Sequence, residues 1–243
     1  MKWIFIFLTI FFFTQCKSTK PMIVEKEEVI KKTISFSKSS CFGNCATYKM
    51  EIYNKGFVIL DALAHNPMQR GIYYKELAPS DFEKISQLQN TIDWKKIYRK
   101  YMMNIPDLPT TELKLYFKDS TKNKIVSSNL NPPNEVESMY TLLHNLTKQD
   151  KWIEVQKKDD IINPNIMYDR LQVNIDTGMS IQTIETAFKE YGLIQEKKIS
   201  QYMNFWEMSY DTSKINKYEM VVFLQRFPGV HSARFNRKLE VRE

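Results

Sequence analysis

Two cysteines four residues apart, in Ser40-Cys41-Phe42-Gly43-Asn44-Cys45-Ala46-Thr47-Tyr48, constrain this chain more than any other stretch. They flank a short loop containing a glycine, so the backbone turns sharply between them whatever the thiols do. A strand-like alternation follows at once, with Tyr48, Met50 and Ile52 set against Lys49, Glu51 and Tyr53. A period of two puts each set on its own face of a sheet. The loop therefore reads as a corner that leads into a sheet. Three uses of its thiols stand side by side: a structural disulfide, a redox pair, or part of a metal site. A redox pair favours Cys-x-x-Cys at a helix start, which lowers the thiolate pKa, whereas here the spacing is longer and a strand follows. A metal site needs two more ligands, and His65, His144 and His231 are widely separated, without paired spacing.

The N-terminus bears on that choice. Lys2 precedes an apolar run over residues 3–13 that only Thr9 interrupts. Such a run is too short for a membrane span of about 20 residues and suits the hydrophobic region of an export signal. After Cys16 the chain turns polar. A cysteine directly behind an export signal resembles the lipobox of bacterial lipoproteins, although Gln15 and Phe13 replace the usual small residue and Leu. The resemblance implies removal of residues 1–15, acylation of Cys16 and attachment to a membrane. It also implies a pairing. Of the chain's 3 cysteines, assigning Cys16 to lipid leaves Cys41 and Cys45 as an even pair, in a compartment where disulfides persist. Residues 16–32, with Glu25, Lys26, Glu27, Glu28, Lys31 and Lys32 and no apolar period, read as a tether.

A chain of 243 residues accommodates two units of about 100 residues each. The first is expected over 33–152. Ile34 and Phe36 alternate with polar neighbours, 46–53 continues as a strand, and Asn54-Lys55-Gly56 signals a hairpin into Phe57-Val58-Ile59-Leu60. A further strand is expected over 71–76. Ser80-x-x-Glu83 after Pro79 predicts a capping box, and Phe82, Ile85, Leu88 and Ile92 then share one helix face. Leu113, Leu115 and Phe117 predict a strand, 124–128 another. Pro132-Pro133-Asn134 opens a second helix that carries Val136, Tyr140, Leu143 and Leu146. The order ββββαββα predicts an α+β unit, an antiparallel sheet with two helices. Cys41-x-Gly43-x-Cys45-Ala46-x-Tyr48, Gly56 and Asp107-x-Pro109-Thr110-Thr111-Glu112-Leu113 together resemble an uncharacterised domain family of bacterial envelope lipoproteins. Its hallmark is a Cys-x-Gly-x-Cys-Pro-x-Tyr knuckle, with Ala46 here in place of the Pro. The resemblance spans 33–152 and implies no biochemical activity.

Residues 153–167 mix Lys157, Lys158, Asp159 and Asp160 with Asn163-Pro164-Asn165 and show no period, so a linker is expected. The second unit, 168–243, begins with a strand carrying Leu171, Val173 and Ile175. Ser180 is placed to cap a helix bearing Ile181, Ile184, Phe188 and Tyr191, and Gly192 closes it. Strands over 193–200 and 203–210 follow, then a helix capped by Asn216 with Met220, Leu224 and Phe227 buried, then a strand over 230–241. The order βαββαβ is ferredoxin-like. Ser200, Asn204-x-Trp206, Tyr210-Asp211 and Val230-x-x-Ala233-x-x-Asn236-x-x-x-x-x-Arg242 resemble the propeptide-like domains that precede subtilisin-type serine peptidases. In that family the domain packs on the protease, assists its folding and inhibits it through a C-terminal tail. The matching pattern ends one residue before Glu243, so tail insertion is not expected here.

A net charge of +7 permits contact with anionic surfaces without demanding it. Arg234, Arg237 and Lys238 read as a solvated strand edge; nucleic-acid binding, which favours a broad basic stripe with aromatics, is not expected. The sequence holds only 6 glycines and no phosphate-binding loop, nucleophile elbow or zinc-protease motif, so neither catalytic residues nor a cofactor or metal is assigned. Asp159 and Asp160 read as solvated, and Tyr73, Tyr74, Tyr98 and Tyr101 as half-buried aromatics. The expected function is a non-catalytic, lipid-anchored cell-envelope protein that binds or scaffolds another envelope component. Two alternatives accompany it: a chaperone or inhibitor in trans of a subtilisin-like protease, and a thiol–disulfide protein using Cys41 and Cys45.

Overall fold

Phe57-Val58-Ile59-Leu60 has no polar face, and all four side chains are buried. Val58 and Leu60 join one core while Phe57 and Ile59 join another. A strand that is apolar on both sides has to be covered on both sides, and the fold is built around that requirement. The computed structural model describes residues 29–105 and 107–238. The expected export signal, Cys16, most of the tether, Pro106 and residues 239–243 lie outside the described residues.

In chain order the elements are β1 (Lys32–Lys38), β2 (Thr47–Tyr53), β3 (Phe57–Ala64), β4 (Gly71–Glu76), α1 (Pro79–Thr91), β5 (Lys100–Tyr101), β6 (Thr111–Leu115), β7 (Lys124–Ser128), α2 (Asn134–Leu146) and β8 (Ile153–Lys157). Then come α3 (Lys158–Ile161), β9 (Ile166–Ile175), α4 (Ile181–Ala187), β10 (Ile194–Lys198), β11 (Phe205–Ser209), α5 (Lys217–Gln225) and β12 (Val230–Arg237). The architecture is mixed α+β. Eight strands form one sheet in the order β5-β7-β6-β1-β2-β3-β4-β8, and four form a second in the order β10-β11-β9-β12. Neighbours are antiparallel throughout, except that β5 runs parallel to β7.

One face of the large sheet, carrying Phe36, Tyr48, Met50, Ile52 and Leu60, packs with Ile85 of α1 and with Val136, Met139 and Leu143 of α2. The opposite face at β2, β3 and β4 presents Tyr53, Phe57, Ile59, Ile72 and Tyr74 to α4 and α5. The small sheet contributes Leu171, Val173, Met208 and Ala233 to that same core. The helix α5 shows the consequence most clearly. Met220, Val221, Val222, Phe223 and Leu224 are all buried, as a helix apolar all round must be when layers flank it on both sides. Phe223 meets Tyr53 and Phe57 edge-on, with ring centroids 5.6 and 5.8 Å away. The Arg226 guanidinium lies 3.8 Å over the Phe57 ring and pairs with Glu76. At the other end of α5, Glu219 accepts a hydrogen bond from the Tyr53 hydroxyl (2.7 Å) and an ion pair from Lys32 (3.1 Å).

Several expectations need correction. The stretch 153–167, expected as a linker, holds regular structure: β8 adds to the large sheet beside β4, and the one-turn α3 follows. Asp160 pairs with Arg237 at 2.7 Å, and its carbonyl accepts from the Tyr168 hydroxyl. As a short edge strand, β8 buries only Gln156 and leaves Ile153 exposed, so it carries no apolar alternation to read. The capping box at Ser80 does not form. Pro79 is the first helical residue and Ala78 the cap, without a side-chain hydrogen bond; proline suits that position because its missing N–H would have gone unpaired. Ser180 and Asn216 do cap their helices, accepting from the backbone N–H groups of Gln182 and Tyr218. Gly192 sits at φ 69°, the left-handed conformation that closes the turn.

Candidate functional site

Cys41 and Cys45 are disulfide-bonded, with Cα atoms 5.7 Å apart. The bond closes the loop between β1 and β2, Gly43 adopts φ 131°, and Phe42 stands 89% exposed at its tip. A distant piece of the sequence braces this corner. The Phe42 N–H points at the Asp107 carbonyl (3.4 Å), Ser39 N–H donates to the Thr110 carbonyl (2.9 Å), and Thr110 N–H donates to Ser39 Oγ (2.8 Å). β6 then pairs with β1, Thr111 opposite Lys38. The two halves of the sequence pattern, the knuckle and the Asp107–Thr111 stretch, thus form one corner.

Beside the corner opens a cleft of about 670 Å³ between the knuckle ends of β1, β2, β6 and β7 and the exposed side of α2. Its walls include Lys38, Tyr48, Tyr140, His144 and Lys148, with Glu137 as the acidic side chain. Tyr48, the last residue of the knuckle pattern, is buried in the helix-covered face of the sheet, and its ring stacks on His144 (centroids 5.9 Å, 18° between planes). Its hydroxyl lies 2.8 Å from His144 Nδ1.

Burial pushes the Tyr48 phenol well above the ordinary tyrosine range. His144 is held below its ordinary value, first by burial and then by the Lys148 and Lys38 charges. Both rings are therefore neutral near pH 7. The Tyr48 hydroxyl has no other acceptor among the described residues, so its proton is satisfied only when Tyr48 donates to Nδ1, which leaves the imidazole proton on Nε2. Among the described residues His144 Nε2 has no hydrogen-bond partner, and the Lys38 and Lys148 ammonium groups have no ion pair. Tyr140 is turned inward instead, where burial pushes its phenol up to about 12 and its hydroxyl contacts Ser128 Oγ at 3.3 Å.

Sequence reasoning set His144 aside with the other histidines because no second histidine stood at ligand spacing. The usable signal was different: Tyr140, His144 and Lys148 recur every four residues, the first two on one face of α2 and the third just past its end. Lys38 was invisible as a site residue because only sheet register brings it there. The other aromatics divide as follows. Tyr73 and Tyr74 are buried on opposite faces of β4, and Tyr98 is 74% exposed. Among the described residues no three His, Cys, Asp or Glu side chains come together as a metal site. Nor, among them, is any helix long and apolar enough to cross a membrane.

Residues 32–147 match a domain of unknown function, DUF6438. The match ends just past α2, so the knuckle, its Asp107–Thr111 brace and nearly all of the cleft lie within the matched residues. No curated protein matches the chain.

Proposed function

We propose that this chain is a non-catalytic, lipid-anchored cell-envelope protein acting as a binding or scaffolding module, with the knuckle-side cleft as the place where its partner engages. The observation that carries the reading is the direction in which the cleft faces. The described chain comes in at the Asn54 end of the sheet, where Lys31 N–H donates to Asn54 Oδ1 (2.8 Å) and Asn54 Nδ2 donates to the Val29 carbonyl (3.1 Å). From there β1 runs its seven residues to the knuckle, about 20 Å at ~3.3 Å per residue. An anchor at Cys16 would therefore hold the sheet by one end and present the cleft at the other. Donors that are unpaired among the described residues, set around an open concavity, suit recognition of a polar partner. Crosslinking from the full-length, lipidated protein at native expression should recover one specific envelope partner; recovering none counts against the module.

A second reading rests on the small sheet. Its strands lie in the order second, third, first, fourth, with α4 and α5 on one face, which supports a ferredoxin-like arrangement and with it kinship to subtilisin propeptides. Its open face carries Gln172, Glu207 and Arg234 around a cleft of about 920 Å³, a surface available for a protease acting in trans. Mixing the protein with envelope subtilisins and finding no change in protease activity or refolding yield removes this reading.

A further inference from the structure

The knuckle-side cleft is lopsided in charge. Lys38 comes to it from β1 and Lys148 from just beyond α2, while Glu137, two turns before His144 along α2, is its acidic side chain. Both ammonium groups lack an ion pair among the described residues, whereas Lys32, Lys49, Lys114 and Lys197 elsewhere are each matched with a glutamate. Between them stands a neutral imidazole whose inner nitrogen is occupied by Tyr48 and whose outer N–H is unpartnered among the described residues. Two cations and an oriented N–H converging on one concavity are the donor set that an oxyanion takes.

We propose that this cleft binds an oxyanion that the partner presents, a phosphate or carboxylate, between Lys38 and Lys148, with His144 Nε2 donating to it. The proposal rests on the cleft being the binding site of the module and adds the chemistry that the site selects. Tyr48 is then a positioning residue: its hydroxyl holds the imidazole in the tautomer that turns Nε2–H toward the ligand. A bound oxyanion offsets the repulsion that Lys38 and Lys148 exert on the imidazolium. Protonation of His144 and anion binding therefore favour each other, against Glu137, which opposes the anion. Tyr48 and Tyr140 stay neutral and leave the sign unchanged. Affinity rises as pH falls through the histidine range.

The test is histidine NMR on the full chain in detergent, with sulfate, inorganic phosphate and acetate as probes. The chain's 3 histidines make the spectrum readable. Sulfate keeps its charge between about pH 5.5 and about pH 8 and so isolates the titration of His144. The expected result is a saturable shift of the His144 ring, tighter at the lower pH. It should weaken roughly tenfold or more in the Lys38→Ala/Lys148→Ala double variant. A response to phosphate but not acetate, or the reverse, assigns the oxyanion class. Shifts that do not saturate, that are equal at His65 and His231, or that survive the double substitution overturn the proposal. A partner crosslinked in the cleft and indifferent to Lys38→Ala/Lys148→Ala also removes the oxyanion, but leaves the binding module standing. Saturable sulfate binding with no partner recovered does the opposite.

Discussion

Replacing Phe223 with Ala tests whether the two sheets behave as one body. The side chain is buried, 4% exposed, and faces Tyr53 and Phe57 of the large sheet from the helix that also packs on β12 and β9. It touches Tyr191 as well, at 6.3 Å between centroids. Truncating a fully buried Phe costs ~3–5 kcal/mol, because the apolar transfer energy is lost and a cavity is left behind. The residue belongs to a core shared by both sheets, so the loss should fall on both. Native-state hydrogen exchange read on peptides from β2–β3 and from β9–β11 would measure it separately in each. The expected result is a matched acceleration of ~10²–10⁴ in the slowest amides of both sets. Acceleration confined to β9–β11, with β2–β3 unchanged, would show two units that merely touch, and the layered account of α5 would fail.

Three other perturbations follow from the same structure. The Cys41→Ser/Cys45→Ser variant should lose ~2 kcal/mol, the low value appropriate to so short a loop, with faster exchange in 39–47 and no redox phenotype; a redox phenotype in cells would restore the thiol–disulfide reading. Tyr48→Phe should cost ~1–2 kcal/mol by leaving a part-buried imidazole nitrogen unpaired, and ¹⁵N spectra should show His144 losing its single tautomer; an unchanged tautomer would refute the assigned hydrogen bond. At Glu51, burial raises the carboxyl pKa, but hydrogen bonds and charges from Lys49 and Lys32 more than offset it, and the net shift is downward from 4.5. A depressed carboxylate contributes stability that is full above pH 4.5 and is lost as pH falls through the folded value. Glu51→Gln should therefore flatten urea stability against pH below that point, and an unchanged slope would show that Glu51 contributes nothing there.

Much of the fold was legible because its signals are local. Alternation in β1 and β2, the hairpin at Gly56, the caps at Ser180 and Asn216 and the turn at Gly192 all depend on residues within a few positions of one another. What escaped was set by distant partners. The double-sided apolarity of Phe57-Val58-Ile59-Leu60 and the five consecutive buried residues of α5 were both present in the sequence. Together they say that each element is covered on two sides, which argues against two units joined by a loose linker. The segment 153–157 hid for the opposite reason, since an edge strand with polar side chains gains its order from β4 and not from its own pattern. The cleft was half legible. Tyr48 belonged to the knuckle pattern and His144 and Lys148 stood four residues apart at the end of α2, but only the register of β1 against β2 and β6 adds Lys38.

The central claim, that partners engage the knuckle-side cleft, is tested most directly by placing a photo-crosslinking residue at Thr141 in that cleft and, separately, at Ser232 on β12. Expressed at native level in cells, the Thr141 protein should give one discrete adduct, lost when Lys38 and Lys148 are replaced by Ala, while the Ser232 protein gives none. An adduct from Ser232 with nothing from Thr141 would contradict the account and move the interface to the small sheet.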